Sequence, residues 1–400
     1  MQASGSQTLI LIAAAAFVIP LIGARVRLPA VVLEMSFGLL IGPVLQIVGE
    51  EPELIQQLGE IGFLLLMFLS GFEIDLGAIE RQGPRLVFWA VGVFVVTLVT
   101  AFIVGRTLGF DDPIFAMLLL APTSVGIVVP TLRETGHGPS KLGQAILLAA
   151  LVADLFTLIG LTTWALIRQQ GAGVELLFIP AFFTIAAISL LILKRAAWWY
   201  PEKFERLFGD HDPAEMGIRA SLAFMLVFVG LAGAFGIEAI LGAFLAGAVF
   251  AMVFRERGAL DNKLFGFSYG FLIPIFFINV GIEFDLDAMS EPGVWGNTLK
   301  LVGASLAVKM AASTILFFRG FTVREVLSTG FLLWPKISLL IAIEEVGREL
   351  GIIDPGESAG IILLAALSAA ISPILFRAVA PKVRDGETPS ASPPRDRYTT

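Results

Sequence analysis

Thirteen apolar runs of 16 to 26 residues follow one another along this 400-residue chain, which makes a lipid bilayer its solvent. A helix of about 20 apolar residues crosses the ~30 Å hydrocarbon core of a membrane. The runs cover residues 8–24, 29–48, 57–79, 86–105, 113–132, 142–167, 177–193, 216–235, 239–254, 264–282, 297–317, 325–344 and 358–378. Only Gly236, Ile237 and Glu238 separate the eighth run from the ninth. Charged residues make up 15% of the chain and hydrophobic ones 56%, whereas a soluble domain carries about 25% charged residues. The expected fold is therefore all-α, a polytopic membrane protein with thirteen transmembrane helices. The first run, Leu9 to Gly23, is followed by Arg25 and Arg27 and has no basic residue before it. A cleaved signal peptide has the reverse order, so this run reads as a retained first span with its N-terminus outside.

Basic residues decide orientation, because they collect in cytoplasmic loops. Fifteen lysines and arginines fall in the odd-numbered loops and four in the even-numbered loops and their edges. That asymmetry puts the odd loops and the C-terminus in the cytoplasm, as thirteen spans with an outside N-terminus require.

The chain also repeats itself. FLSGFEIDL (68–76) resembles FINVGIEFDL (277–286), with Gly71, Glu73, Asp75 and Leu76 falling on Gly281, Glu283, Asp285 and Leu286. Residues 110–136 match 321–347 in length, in the first Phe and in the final Gly, and LAAL at 148–151 recurs at 364–367. The offset spans seven helices, and an odd number reverses direction across the membrane. Residues 8–167 and 216–378 thus read as two inverted six-helix repeats, joined by a linker helix at 177–193 and followed by a disordered tail at 379–400. Inverted repeats let one site open alternately to either side.

Three ionisable residues lie deep within spans: Asp154, Lys309 and Lys336. Glu34, Glu60, Glu73 and Asp75 sit nearer span ends. A charge at the bilayer centre costs about 2.5–3.5 kcal/mol, so each needs a partner, water or a task. Asp154 is the only ionisable group between Leu142 and Ile167. A carboxylate there can hold a proton or a cation, but not both. Spans five and twelve, matched by the repeat, both look broken: Pro122, Gly126 and Pro130 interrupt one, around Thr123 and Ser124, and Pro335-Lys336 interrupts the other, with Ser338 beyond. Broken helices expose carbonyls and dipole ends at membrane depth. The hydroxyls of Thr123 and Ser124 can replace part of an alkali ion's hydration shell, and Lys336 can neutralise negative helix ends. For Lys309, a structural ion pair and a role in coupling both remain open.

Several chemistries are excluded. There is no Cys, and His137 and His211 both lie in polar loops, so no thiolate or histidine metal cage is expected within the membrane. HExxH and GK[ST] patterns are absent, and a second deep acid facing Asp154 is missing. The chain reads as neither an enzyme nor an ATP-driven pump, with no cofactor and no nucleic-acid partner.

TSVGI (123–127), Asp154, AILGAFLAGAVF (239–250), PIFFINVGIEFDL (274–286), Lys309 and Pro335-Lys336 carry a family likeness. In that order they resemble the monovalent cation:proton antiporter-2 family, with its Kef-type potassium and Nap-type sodium/proton antiporters. The resemblance implies a core of crossed discontinuous helices moving against a dimerisation domain, hence a homodimer in the inner (plasma) membrane. It implies that Asp154 is the ion-binding acid and that Lys309 is the lysine some members keep in this span. Ala153 stands where members with two adjacent acids carry the first, and Ile337 stands where a glycine is common. The expected function is exchange of Na+ or K+ for protons through competition at Asp154; a gated cation channel or efflux system on the same scaffold is the alternative.

Overall fold

The computed structural model describes residues 5–26, 28–48, 53–72, 84–138, 140–171, 173–200, 215–253 and 258–381. Glu73, Asp75 and the tail beyond Pro381 lie outside the described residues. Every regular element described is a helix. In chain order the α-helices are α1 (Gly5–Val26), α2 (Ala30–Leu39), α3 (Glu53–Phe72), α4 (Pro84–Leu108), α5 (Pro113–Leu120), α6 (Val125–Glu134), α7 (Lys141–Gln170), α8 (Phe178–Trp199) and α9 (Met216–Ala234). Then follow α10 (Ala239–Val253), α11 (Gly258–Phe267), α12 (Ile273–Ile282), α13 (Leu286–Met289), α14 (Val294–Ser313), α15 (Val323–Leu333), α16 (Ser338–Glu349) and α17 (Pro355–Val379). Among the described residues, nine helices are long and apolar enough to cross a membrane, and ten if α15 and α16, bent by 47°, count as one broken span. Three shorter apolar helices lie at 7–23, 30–44 and 239–253.

Local chemistry sets the helix ends. Asp112 caps α5 by accepting from the N–H groups of Ile114 at 2.9 Å and Phe115 at 3.1 Å, with Pro113 in the first turn. Ser140 caps α7 through the Gly143 N–H at 3.0 Å, and Gly171, with φ 86°, ends it. Thr322 with Glu325, and Asp354 with Glu357, form capping boxes that start α15 and α17. Helix α8 runs six residues past the expected end at 193, to Trp199.

The helices sort into two groups. α1–α3 pack with α9–α12, and α4–α7 pack with α14–α17, while α8 lies against α10. Two crossings in the first group are close enough to require glycine. A Cβ on Gly71 would sit 2.0 Å from the Phe244 carbonyl oxygen, and one on Gly247 would sit 1.9 Å from that of Phe68, where α3 meets α10. The same reciprocity joins α2 to α12: Gly38 faces the Ile278 oxygen at 1.9 Å and Gly281 faces that of Met35 at 2.1 Å. Small residues let backbones approach where lipid supplies no hydrophobic drive.

Candidate ion-binding site

The site lies where α5–α6 and α15–α16 are interrupted. Pro122 has no N–H to offer the turn before it, so α5 ends at Leu120 and the chain runs non-helically to Ser124. That break frees the carbonyls of Leu120, Ala121 and Pro122 from helical pairing. Pro335 interrupts the other span in the same way, over 334–337. The break in the first span is confined to 121–124; Gly126 and Pro130, expected to contribute to it, lie inside α6.

The two breaks are bonded to one another. The Ser124 N–H donates to the Pro335 carbonyl at 2.7 Å, and the Thr123 hydroxyl donates to the Leu333 carbonyl at 2.8 Å. Two lysines take up the freed carbonyls. Lys336 Nζ donates to the oxygens of Leu120 and, at 3.1 Å, Pro122. Lys309, from α14, donates to the Ala121 oxygen and, at 2.9 Å, to the Thr123 hydroxyl. Both ammonium groups are buried at the C-terminal end of α5, where the helix dipole favours positive charge. Lys309 thus does not snorkel to the interface. Neither lysine forms an ion pair with a carboxylate among the described residues.

Asp154 enters from α7. Its Oδ1 accepts the Thr123 N–H at 3.2 Å, at the mouth of α6. The Ser124 side chain does not cap α6, so a carboxylate from another helix stands at the positive end of its dipole. Asp154 is only half-buried, in contrast to Thr123, Lys309 and Lys336, which are fully buried. Both lysines are near enough for their charges to act on it. One half-buried carboxyl group therefore stands at the same crossing as two buried amino groups whose hydrogen bonds run to neutral oxygens.

Of the six residues singled out in the sequence, Asp154, Thr123, Ser124, Lys309 and Lys336 converge here, Ser124 through its backbone. Ser338 does not join them: it opens α16, half-buried, with no hydrogen bond to the other five. Glu34 is buried in α2, in the other helix group, and Glu60 is exposed.

Several supports went unrecognised in the sequence. The Lys336 N–H donates to Ser368 Oγ at 3.2 Å, and Trp334 Nε1 donates to Ser305 Oγ at 2.8 Å. Ser305 precedes Lys309 by one turn of α14, so that single helix grips both breaks. Thr157, one turn beyond Asp154, keeps a buried hydroxyl oxygen without a partner among the described residues. Only its proximity to Asp154 in the sequence could have drawn attention to it. At the far end of α7, Asp112 Oδ2 accepts from Trp164 Nε1 at 3.1 Å and from the Arg168 guanidinium. Burial works to raise the Asp112 carboxyl, but hydrogen bonds from Phe115, Arg168, Trp164 and Ile114 outweigh it and hold the group below the usual carboxylate range. The cap of α5 is thereby locked to the helix that carries Asp154.

The model of the transmembrane sodium/hydrogen exchanger family matches residues 12–380. A Bacillus subtilis protein named as a putative Na(+)/H(+) antiporter is 32% identical over 92% of the chain. The chain spans 62% of that relative's length. A probable Na(+)/H(+) antiporter from Methanocaldococcus jannaschii is 27% identical over 90% of the chain and 93% of its own length. Among solved structures, the sodium proton antiporter MjNhaP1 from the same archaeon superposes with a TM-score of 0.65 at 16% identity, covering 93% of this chain and 95% of that one, and so shares its fold. The narrower Kef- and Nap-type grouping is not singled out by these matches.

Proposed function

The chain belongs to the sodium/hydrogen exchanger family, and from that premise we propose that it exchanges Na+ or K+ for protons by competition of the two ions for Asp154. Asp154 takes a proton from one side of the membrane, the helices that hold it shift, and the alkali cation displaces the proton on the other side. With one carboxylate, exchange is one-for-one and electroneutral; loss of a proton from Lys309 during the cycle would make it electrogenic.

The observation that carries this reading is the half-buried Asp154 carboxyl group at a helix break, accepting the Thr123 N–H at the start of α6, close to the buried Lys309 and Lys336. An acid at a helix break within a span can exchange a proton for a cation only if water or solvated ions reach it. Lys309 and Lys336 supply charge compensation while the acid is deprotonated, and Lys309 is the candidate for coupling.

Alternating access draws support from the packing. Under the repeat, α2 corresponds to α10 and α3 to α12, so the α2–α12 crossing through Gly38 and Gly281 maps onto the α10–α3 crossing through Gly247 and Gly71. Thirteen crossings, an outside N-terminus, a cytoplasmic C-terminus, a homodimer in the plasma membrane and Kef/Nap-type affinity belong to the same proposal.

The test is exchange in sealed vesicles. The unmodified protein should dissipate an imposed pH gradient on addition of Na+ or K+, and Asp154→Asn should not. A fully active Asp154→Asn variant would rule out competition at this acid. Cation flux without proton movement would indicate a channel instead. A panel of alkali cations separates Na+ from K+.

A further inference from the structure

We propose that the cleft between α7, α8 and α10 seats one acyl chain of an anionic phospholipid whose headgroup lies on Lys141 and Lys194. The cleft holds about 300 Å³, and its wall is apolar throughout, with Leu151 and Leu155 from α7, Ala187 and Leu190 from α8, and Ala248 and Met252 from α10. It lies within three apolar helices, so lipid and not water is the neighbouring phase.

Helical register shows where the cleft leads. On α8 the wall residues recur every three or four positions, and Lys194 continues their stripe one turn past Leu190, ~6 Å further along at 1.5 Å per residue. On α7 the stripe runs back through Leu148 and Gln144 to Lys141, ~10 Å beyond Leu148. A short connection joins the end of α7 to the start of α8, so the two helices run antiparallel and both lysines rim the same end. Both are exposed, and neither pairs with a carboxylate among the described residues. Trp198 and Trp199, 74% and 55% exposed, follow one turn past Lys194, and Arg195 stacks over the Trp199 ring at 4.6 Å. Exposed tryptophans and basic side chains mark the level of the headgroups. An apolar slot whose helical stripes lead to two exposed lysines fits a ligand with a hydrocarbon chain and a phosphate. The slot flanks the turns of α7 on both sides of Asp154, so the seated chain braces that helix against α8 and α10.

Binding is read without transport, by thermal unfolding of the purified full chain in detergent. The probes are dioleoylphosphatidylglycerol, dioleoylphosphatidylcholine and glycerol 3-phosphate. Saturating phosphatidylglycerol should raise the unfolding midpoint by about 5 °C, phosphatidylcholine distinctly less, and glycerol 3-phosphate by under about 1 °C. The double variant K141Q/K194Q, altered only at exposed positions, should respond equally to the two lipids. A187F, which fills the slot, should lose the response to both. Equal shifts with the two lipids in the unmodified protein, a full phosphatidylglycerol response in K141Q/K194Q, or an equal effect of glycerol 3-phosphate alone would each overturn the proposal. None of these outcomes depends on whether the protein exchanges ions.

Discussion

Ser124 and Pro335 meet at the crossing of the two broken spans, the N–H of one donating to the carbonyl of the other at 2.7 Å. They occupy matching places in 110–136 and 321–347, two segments that resemble each other. Each break therefore supplies part of what the other lacks. A proline leaves carbonyls unpaired on its own helix, and the opposite span and its lysine neighbours take them up. Lys309 and Lys336 lie fully buried at this crossing, whereas Asp154 beside it is half-buried.

Thr123 joins both halves, through its hydroxyl to Leu333 and as an acceptor for Lys309. Thr123→Val should cost about 1–3 kcal/mol of stability and lower the cation-driven proton flux, while Thr123→Ser should preserve both. Thermal unfolding and vesicle exchange on the same preparations check this.

Trp334 and Ser305 form one buried hydrogen bond of 2.8 Å between the second break and the helix that carries Lys309. Trp334→Phe and Ser305→Ala should each cost about 1 kcal/mol or somewhat more. If the bond is the shared cause, the double variant should lose less than the sum of the two. Additive losses in denaturation would show that the bond contributes nothing of its own.

Gly71→Ala should destabilise by about 1–3 kcal/mol or more, because its Cβ would lie 2.0 Å from the Phe244 oxygen and the backbones must part. Gly303→Ala is the control. A Cβ there meets nothing within 4 Å, and alanine is the better helix former by up to about 1 kcal/mol. Opposite shifts in unfolding midpoint are expected.

Two acids outside the spans should give stability opposite pH dependences. The Asp112 carboxyl is held below its ordinary 3.8, so its contribution is complete above pH 3.8 and is lost as pH falls through the folded value. Asp112→Asn should therefore be less stable than the parent near neutrality, with the gap closing in strong acid. Glu238, between α9 and α10, is raised above 4.5 by burial and then by Glu349, against a hydrogen bond from Gln169. Its charged form is disfavoured in the fold, so Glu238→Gln should be slightly more stable at neutral pH and equal to the parent below pH 4.5. Unfolding midpoints measured across pH decide both.

The order of apolar helices, the two interruptions and the lone acid in α7 were legible because each is a local property: twenty apolar residues, a proline without an N–H, a carboxylate with no other ionisable group in its own segment. The break around Pro122 was legible, but its extent was not, since Gly126 and Pro130 fit within α6 once the rest of the span is braced. Ser338 looked like a support for the site because it follows Pro335-Lys336, yet it opens α16 without a hydrogen bond to the other five.

What only the tertiary structure decided is who satisfies whom. The sequence determines that carbonyls near Pro122 must go without helical partners; it does not say that Lys309 and Lys336, 188 and 216 positions from the oxygens they take, will supply them. A backbone deficit arises from adjacent residues, but in a membrane no water is at hand to fill it, so the remedy comes from whichever helix the crossing brings near. The same crossing assigns Asp154, rather than the Ser124 hydroxyl, to the mouth of α6.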